Sequence, residues 1–350
     1  MKHRSIRTAL VALLPALALA GCGSGPSAES ESGQVNEKVT LRLGYFPNIT
    51  HAAALVGMEK GIFAEHLGPN VTLRTSTFAA GPAAVEAVFS GAIDATYVGP
   101  NPAINAFTKS NGQAIRIIAG ATSGGAFLVV KPDIKAAGDL MGKKIASPQL
   151  GNTQDVALRT WLKANGLKTD PQGGGDVSVV PQENAQTLET FKSAAISGAW
   201  VPEPWATRLV QEGNGKVLVD EATLWPEGRY VTTQLIVRTA FLKDHADVVA
   251  RLLEGHVAAT AFLNQSPAEA RTLANQAITK LTGKALPAQV IDAAWKNLVF
   301  TNDPVASSLR KGATDAQAAG LLTSVKLDGI YDLAPLNTIL VRLGQPEVKS

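Results

Sequence analysis

A glycine-bearing turn between a predicted strand and a predicted helix is the first candidate for binding chemistry. The strand ends near Ser147, and the helix is predicted to begin at Asn152 or Thr153, which makes Gly151, Asn152, Thr153 and Gln154 the candidate residues. The first turn of a helix carries backbone N–H groups without intrahelical partners and a partial positive charge, so it binds anions without a basic side chain. A plain helix cap by the Asn152 side chain is the alternative. We favour an anion site because the turn is expected to face a cleft.

The second candidate is Glu203, which lies between two prolines at the end of another predicted strand. In the segment Trp200–Trp205 the prolines stiffen the strand-to-helix turn and fix the position of Glu203. A carboxylate there would accept hydrogen bonds from an ammonium or amide group, and Trp205 would form an apolar wall for a ligand. The alternative is an ordinary helix start, with Pro204 in its first turn and both tryptophans in the core.

Three further turns offer hydroxyl, amide or bare N–H groups at predicted strand ends in the first half of the chain. The candidate residues are Tyr45, Phe46 and Asn48 in the first turn, Asn101 in the second, and Ser123 and Gly124 in the third. His51 follows three residues after Asn48. Each turn alone is also typical of an ordinary connection, and their joint occurrence at strand ends favours a binding site.

The sequence contains no recognisable catalytic or metal-binding motif. It lacks a Gly-x-Ser-x-Gly elbow, a phosphate-binding Gly-Lys loop and a zinc-binding helix motif. Four histidines lie on predicted helices without metal-ligand spacing, namely His51, His66, His245 and His256. A single cysteine excludes both a disulfide within the chain and a zinc site made of thiolates. We therefore expect no catalytic residue, no cofactor and no metal.

That cysteine, Cys22, follows a short apolar run preceded by basic residues, which is the pattern of a secretory leader. The run Ala9–Ala20 is too short to span a bilayer as a helix. The segment Leu19–Cys22 resembles the lipobox of bacterial lipoproteins. The resemblance implies that a lipid is attached to Cys22 and anchors the protein to the membrane outside the cytoplasm. An ordinary secretory signal with a chance cysteine is the alternative.

The charge balance argues against a partner captured by bulk charge. The 350 residues carry a formal net charge of +3, but the predicted leader holds three basic residues and no acidic one. Removing it leaves 29 basic residues (32 − 3) against 29 acidic ones. Nucleic acid calls for a concentrated basic face, so no nucleic-acid partner is expected. If the ligand is an anion, local dipoles must hold it.

Strands and helices alternate from Val39 onward, which predicts an α/β fold with βαβ units. Strands are predicted over Val39–Tyr45, Val71–Thr77 and Thr232–Val237, and a helix over Pro287–Leu298. The second set of alternating elements interrupts the first, with crossings near Pro132 and near Trp225-Pro226. The predicted organisation is a leader over 1–21, a flexible tether over 22–38, lobe 1 over 39–132 plus 226–350, and lobe 2 over 133–225. Two such lobes form a cleft that closes about a hinge.

Four segments resemble the substrate-binding proteins of ABC importers of the nitrate, sulfonate and taurine class. They are Leu43–Asn48, Glu59–Phe63, Gly91–Asp94 and Val201–Trp205. Within the class the chain is most similar to aliphatic-sulfonate-binding proteins, over about Val39–Leu343. The resemblance implies a type II periplasmic-binding-protein fold, with two lobes, a cleft and a hinge.

The resemblance also implies a ligand, a site and partners. A sulfonate is expected at Gly151–Gln154, with the Tyr45–Asn48 turn, Asn101 and Ser123 completing the side of lobe 1. Glu203 would repel an anion unless it is turned away, protonated or paired with a ligand amine, as in an aminosulfonate. The expected partner is an ABC permease with a cytoplasmic ATPase, and the receptor itself is expected to be a monomer.

Several other functions remain open from the sequence. Receptors of the same class bind nitrate, taurine, bicarbonate or a thiamine-precursor pyrimidine. Pyrimidine synthases of thiamine biosynthesis share the fold, but they need a cysteine-rich iron-binding motif, which this chain lacks. A tethered sensory or adhesive protein without a permease is a further alternative.

Overall fold

Two β-sheets with helices packed on their faces form the part of the chain described by the computed structural model, residues 38–350. The predicted leader, Cys22 and nearly all of the predicted tether lie outside the described residues. We call the first sheet and its helices lobe 1, and the second sheet and its helices lobe 2. None of the helices within residues 38–350 combines the length and apolar character that crossing a membrane requires.

The elements alternate as the sequence predicted. The strands are β1 Val39–Tyr45, β2 Val71–Thr77, β3 Ala95–Val98, β4 Ile115–Gly124, β5 Ala126–Val130, β6 Lys144–Ser147, β7 Ser178–Pro181, β8 Gly198–Pro202, β9 Lys216–Asp220, β10 Val231–Arg238 and β11 Leu298–Phe300. The helices are α1 Ala52–Glu59, α2 Ile62–Leu67, α3 Gly81–Phe89, α4 Pro100–Lys109, α5 Thr153–Ala164, α6 Asn184–Lys192, α7 Trp205–Gln211, α8 Thr239–Asp244, α9 Ala246–Gln265, α10 Pro267–Thr282, α11 Ala288–Trp295, α12 Ala306–Ala318 and α13 Ala334–Arg342.

The first sheet has the strand order β11-β4-β10-β3-β1-β2. Strand β1 is parallel to β2 and β3, whereas β10 returns antiparallel between β3 and β4. The predicted return of Thr232–Val237 to the first sheet is confirmed. The helix predicted over Pro287–Leu298 is wrong at its end, because Leu298 begins β11 and pairs with Gly124 of β4. This edge pairing satisfies backbone groups through a partner that is remote in sequence.

The second sheet has the order β7-β6-β8-β5-β9, with β5 antiparallel to both β8 and β9. The expected lobe boundary at Pro132 would leave β5 in lobe 1. The pairing of β5 moves the first crossing back to Gly124 and Gly125, whose φ angles are 80° and 74°. Glycine adopts this left-handed region readily, so the chain turns sharply between the sheets there.

Each lobe has its own hydrophobic core. Leu43, Tyr97 and Leu252 lie in the core of lobe 1, and Leu158 and Trp200 in that of lobe 2. Full burial of each large apolar side chain contributes roughly 1.5–3 kcal/mol. Trp200 is thus a core residue, which agrees with the alternative stated above for the tryptophans of this segment. These cores support the strand ends, from which the turns between the lobes project.

The two crossings between the lobes are tied together by hydrogen bonds. Tyr230 follows the second crossing, and its hydroxyl oxygen accepts from the backbone N–H of Ala126, at 3.0 Å, in the first. The Thr232 hydroxyl donates to the Gly124 carbonyl oxygen at 2.6 Å. The Trp225 ring stacks on Tyr230, with ring centroids 5.5 Å apart. The crossings therefore form one packed hinge region.

Candidate ligand-binding site

A cavity of about 30 Å³ lies between the lobes, beyond the carboxyl ends of β1, β3, β6 and β8. This is the position at which open α/β sheets bind ligands. Lobe 1 contributes polar and aromatic residues from the turns after its strands and from β10. These residues include Phe46, Asn48, His51 and Thr232, and Gly99 also lines the cavity from lobe 1. Lobe 2 contributes Pro148, Asn152, Thr153, Gln154, Asn184 and Pro202.

The N-terminal turn of α5 enters this cavity, and a buried carboxylate braces it from behind. The Asp155 side chain accepts hydrogen bonds from the Gly151 N–H at 2.9 Å and from the Ser147 hydroxyl at 2.6 Å. Arg159, one turn further along, forms an ion pair with Asp155 at 3.1 Å, and both side chains are buried. Gly151 has a φ of +74°, which favours glycine at this point of the turn.

Not every amide of that turn remains available to a ligand. The Asn152 side-chain oxygen accepts from the Thr153 N–H at 2.8 Å, so the plain helix cap is present. The Gln154 N–H has no acceptor among residues 38–350, and Gln154 lines the cavity. One oriented N–H and the positive end of the helix dipole therefore remain for an anion.

Three buried side-chain oxygens around the cavity have no hydrogen-bond partner within the described residues. They are Oδ1 of Asn48, Oγ1 of Thr153 and Oδ1 of Asn184. Leaving a buried polar atom unpaired costs about 1–3 kcal/mol. A carboxamide also carries an NH₂ group beside its oxygen, and a hydroxyl both donates and accepts. The three side chains can therefore gain hydrogen bonds from a polar ligand that both lobes contact.

Among residues 38–350, no lysine, arginine, aspartate or glutamate lines the cavity, and the titratable side chain in its lining is His51. Burial lowers the pKa of His51 to about 3, so the imidazole is neutral at physiological pH. Its Nδ1 atom accepts from the Phe46 N–H at 3.3 Å, and its ring stacks on the Phe46 ring with centroids 4.2 Å apart. His51 was outside the predicted site residues, although its spacing from Asn48 was a usable signal.

Five of the predicted site residues meet at the cavity, namely Phe46, Asn48, Asn152, Thr153 and Gln154. Gly151 lies in the same turn, outside the cavity lining, and its N–H donates to the Asp155 carboxylate. Asn184, at the start of α6, also lines the cavity and was not predicted.

Four other predicted residues lie outside the cavity lining. Tyr45 packs in the core of lobe 1. The Asn101 side chain donates to the Gly312 carbonyl oxygen at 3.1 Å, which joins α4 to α12. Ser123 pairs with Val231 in the first sheet, and Gly124 lies at the first crossing.

Glu203 is buried and engaged with protein groups. Its Oε1 accepts from the Thr207 hydroxyl at 2.8 Å and from the Asn297 side-chain NH₂ at 2.6 Å, and its Oε2 accepts from the Thr207 N–H at 3.0 Å. Burial raises the pKa of this carboxyl group. Since Asn297 belongs to lobe 1, the geometry makes Glu203 a cap of α7 and a contact between the lobes.

A larger pocket of about 500 Å³ adjoins the cavity and shares Phe46, Asn48 and Asn184 with it. We call it the outer pocket. Its walls are largely apolar and include Phe78, Leu188, Trp205 and Leu286. The Arg208 guanidinium lies 4.8 Å from the centroid of the Trp205 ring. Trp205 thus forms part of an apolar wall, and this wall belongs to the outer pocket.

The lobes approach each other closely at the cavity. A Cβ atom at Gly99 would lie 2.4 Å from the Thr153 hydroxyl oxygen, so a side chain there would separate the lobes. The Asn105 side chain donates to the Gly151 carbonyl oxygen at 3.5 Å, a long contact across the same gap. Lys163 donates to the Ala318 carbonyl oxygen at 3.1 Å at the other end of α5. The lobes are therefore in contact at both ends of α5.

The chain is similar to a family of known proteins and to individual proteins described as binding proteins. A model of the NMT1-like family matches residues 34–279. The taurine-binding periplasmic protein of Escherichia coli is 29% identical over 196 residues, which make up 56% of this chain and 58% of that protein.

Solved structures of similar proteins show which fold the chain has. The alkanesulfonate-binding protein SsuA of Xanthomonas axonopodis pv. citri, bound to MOPS, has a TM-score of 0.70 at 18% identity, covering 85% of this chain and 99% of that one. The nitrate-binding protein NrtA of Synechocystis has a TM-score of 0.75 at 19% identity, covering 89% and 90%. The two-lobed α/β architecture predicted from the sequence is confirmed. The chain belongs to the NMT1-like family and has the type II periplasmic-binding-protein fold.

Proposed function

We propose that this protein is an extracytoplasmic receptor that captures a small organic anion, an aliphatic sulfonate, and delivers it to an ABC import permease with a cytoplasmic ATPase. The observation that carries the proposal is the N-terminal turn of α5, which opens into a cavity lined by both lobes. The Gln154 N–H and the helix dipole favour negative charge there. Asn48 and Asn184 provide side-chain amides on the opposite walls.

The outer pocket supports an organic anion over a purely inorganic one. An anionic head group in the cavity would place the rest of the ligand beside Phe46, which lines both spaces. Phe78, Leu188 and Trp205 would then cover an aliphatic chain, at about 0.8 kcal/mol for each buried CH₂ group. The E. coli taurine-binding protein and the MOPS-bound SsuA are similar proteins whose ligands combine these two chemical parts.

Ligand capture would be coupled to closure of the lobes. A ligand that contacts Asn48 in lobe 1 and Gln154 in lobe 2 binds the closed arrangement better than an open one and shifts the equilibrium toward it. The permease would recognise the closed arrangement. In this role the protein needs no catalytic residue, no cofactor and no metal, and it acts as a monomer.

Attachment to the membrane belongs to the same proposal. A lipid on Cys22 would anchor the protein outside the cytoplasm, with the segment up to about Lys38 as its tether. Mass spectrometry of the mature N-terminus tests this directly. A diacylglyceryl adduct on Cys22 is expected, whereas an unmodified N-terminus at another residue would contradict it.

A second candidate is a receptor for a small inorganic anion such as nitrate or bicarbonate. The small volume of the cavity, about 30 Å³, favours this candidate, because it suits a ligand without a chain. Nitrate-binding NrtA shares the fold. The two candidates differ in whether the outer pocket contributes to binding.

A thermal-shift panel on the protein from Gly23 onward tests the proposal. The panel contains methanesulfonate, longer alkanesulfonates, taurine, sulfate, nitrate, bicarbonate and a thiamine-precursor pyrimidine. A ligand that binds only the folded state raises the melting temperature by mass action. We expect sulfonates to give the largest shift, increasing with chain length. A shift with nitrate or bicarbonate alone would favour the second candidate, and no shift with any compound would favour a sensory or adhesive role.

A further inference from the structure

We propose that His51 is a specificity-determining residue of the anion site, where its imidazole donates a hydrogen bond from Nε2–H to the ligand while remaining neutral. This inference rests on the proposed function, because it assigns a role within the same site. It adds a donor from lobe 1 to the helix terminus of lobe 2. The anion would then be held from both lobes without a charged side chain.

The tautomer of His51 follows from its contact with the neighbouring backbone. Nδ1 accepts a hydrogen bond from the Phe46 N–H, so in the neutral ring the proton must lie on Nε2. Stacking on the Phe46 ring, with an interplanar angle of 26°, limits rotation of the imidazole. On its other side the ring lies 6.5 Å from the ring of Tyr97, measured between centroids. The orientation of the donor is therefore set by the fold before any ligand arrives.

The Nε2–H group needs an acceptor that residues 38–350 do not supply. His51 is 2% exposed and lines the cavity, and no group among those residues accepts from Nε2. An anionic oxygen in the cavity is the chemistry that satisfies such a donor. Hydrogen bonds to charged groups are stronger than those between neutral groups, so this contact would favour an anion over a neutral ligand.

The groups packed around His51 keep it neutral. Its titratable neighbour is Tyr97, and the Tyr97 Oη atom is in turn 2.8 Å from Nδ1 of His256. Burial raises the pKa of Tyr97 and lowers the pKa of His256 to about 4, so both are uncharged near neutral pH. The other elements of the described part of the chain place no carboxylate or cation in the cavity lining. Affinity for the anion of a strong acid should therefore stay constant between about pH 5.5 and 8.

Calorimetric titration of purified variants with methanesulfonate, nitrate and bicarbonate tests the donor. For the anion that binds the wild type, His51→Leu should weaken binding about tenfold or more, because a hydrogen bond to a charged group is lost. His51→Gln retains an N–H donor and should stay within about threefold of the wild type. His66→Gln, the same change at a partly exposed histidine, is the matched control and should bind normally. Wild-type affinity in His51→Leu would overturn the proposal.

Nuclear magnetic resonance of ¹⁵N-histidine-labelled wild-type protein provides a test that needs no variant. Nε2 of His51 should resonate as a protonated nitrogen and shift on addition of the binding anion, while Nε2 of His256 should not shift. An unchanged His51 signal under saturation would overturn the proposal, as would affinity that falls tenfold per pH unit above about 6.5, the signature of a cationic histidine. If neither these three anions nor the longer alkanesulfonates bind the wild type, the proposed function fails instead.

Discussion

Two strand-to-helix turns of lobe 2 have similar ingredients but differ in what they can bind. The turn before α5 and the turn before α7 each follow a buried strand, and each has a buried carboxylate beside it. Asp155 lies inside its helix and pairs with the Arg159 guanidinium. Glu203 precedes its helix and is held by the neutral donors Thr207 and Asn297.

The position of the carboxylate decides whether the helix terminus is open to an anion. Glu203 accepts from the Thr207 N–H, so negative charge already occupies the N-terminal end of α7. Asp155 instead reaches back to the Gly151 N–H and leaves the N–H of Gln154 unpaired within residues 38–350. The turn before α5 therefore leaves an N–H group available to an anion, whereas the turn before α7 has a carboxylate of the protein in that position.

Loss of the cation behind the α5 turn should have the largest effect. Replacing Arg159 with Leu leaves the fully buried Asp155 carboxylate without its ion partner. Breaking a buried pair in this way costs about 3–5 kcal/mol. Urea denaturation of the wild type and the variant measures the change in the free energy of unfolding.

The matched control is the exposed pair Asp247–Arg251, which has the same i,i+4 spacing in α9. Arg251→Leu should change the free energy of unfolding by less than about 1 kcal/mol, because water screens this pair. Equal effects of the two substitutions would show that the Asp155 brace contributes no more than a surface pair does.

A buried carboxylate held by neutral donors should make the free energy of unfolding depend on pH in the opposite direction from a carboxylate paired with a cation. Glu221 is such a group, since the indole N–H groups of Trp200 and Trp225 donate to it at 2.7 and 3.3 Å. Burial raises the pKa of Glu221 from its ordinary 4.5 to about 7. Its folded-state pKa thus exceeds its unfolded one, and the stability it contributes is present below pH 4.5 and is lost as pH rises toward 7.

The variant Glu221→Gln mimics the protonated side chain and should remove this loss. We expect it to match the wild type near pH 4.5 and to be more stable by about 3 kcal/mol at pH 8, measured by denaturation across pH. Glu212 is the control, because its hydrogen bond with Arg208 lowers its pKa. Glu212→Gln should be less stable than the wild type above about pH 4.5, and this difference should disappear as pH falls below that value. If the free energy of unfolding changed with pH in the same way in the wild type and both variants, the distinction between neutral donors and a cationic partner would be contradicted.

The sequence predicted the parts of the site that depend on local pattern. The cap residue Asn152 and the first turn of α5 follow from a strand, a glycine and an amphipathic helix, and all three signals lie within one segment. The alternation of strands and helices likewise predicted the α/β class. Phe46 and Asn48 were predicted at the cleft because residues just after parallel strands meet at one edge of the sheet, and both line the cavity.

The remainder depends on contacts between distant segments. The Asn297 side chain that binds Glu203 is 94 residues away in sequence, so the role of that carboxylate was not readable locally. Tyr45 is an exception, because the alternation of Leu41, Leu43 and Tyr45 along one strand face already indicated that its side chain faces the core. Asn101 pairs with Gly312, which is 211 residues away. Strand-end position therefore predicts proximity to the cleft, while side-chain direction depends on tertiary packing.

The contribution of the α5 terminus itself can be isolated at Gln154. Gln154→Pro removes both the side chain and the N–H, whereas Gln154→Ala removes the side chain and keeps the N–H. Proline is tolerated in the first turn of a helix, so the fold should persist. We expect the proline variant to bind the ligand about tenfold or more weakly than the alanine variant, by calorimetry, because one hydrogen bond to a charged group is lost. Equal affinities would remove the helix terminus from the site.

The smallest expected effect concerns the outer pocket. There the turn before α7 contributes the aromatic side chain of Trp205 to an apolar wall. Trp205→Ala should leave methanesulfonate affinity unchanged, because the anionic head would be held at the α5 turn. It should weaken longer alkanesulfonates progressively, by up to about 0.8 kcal/mol for each CH₂ group that loses its apolar cover. Calorimetry across a chain-length series measures the slope. Identical slopes in the wild type and the variant would mean that the chain does not reach Trp205. The two turns of lobe 2 would then differ in that only one of them contacts the ligand.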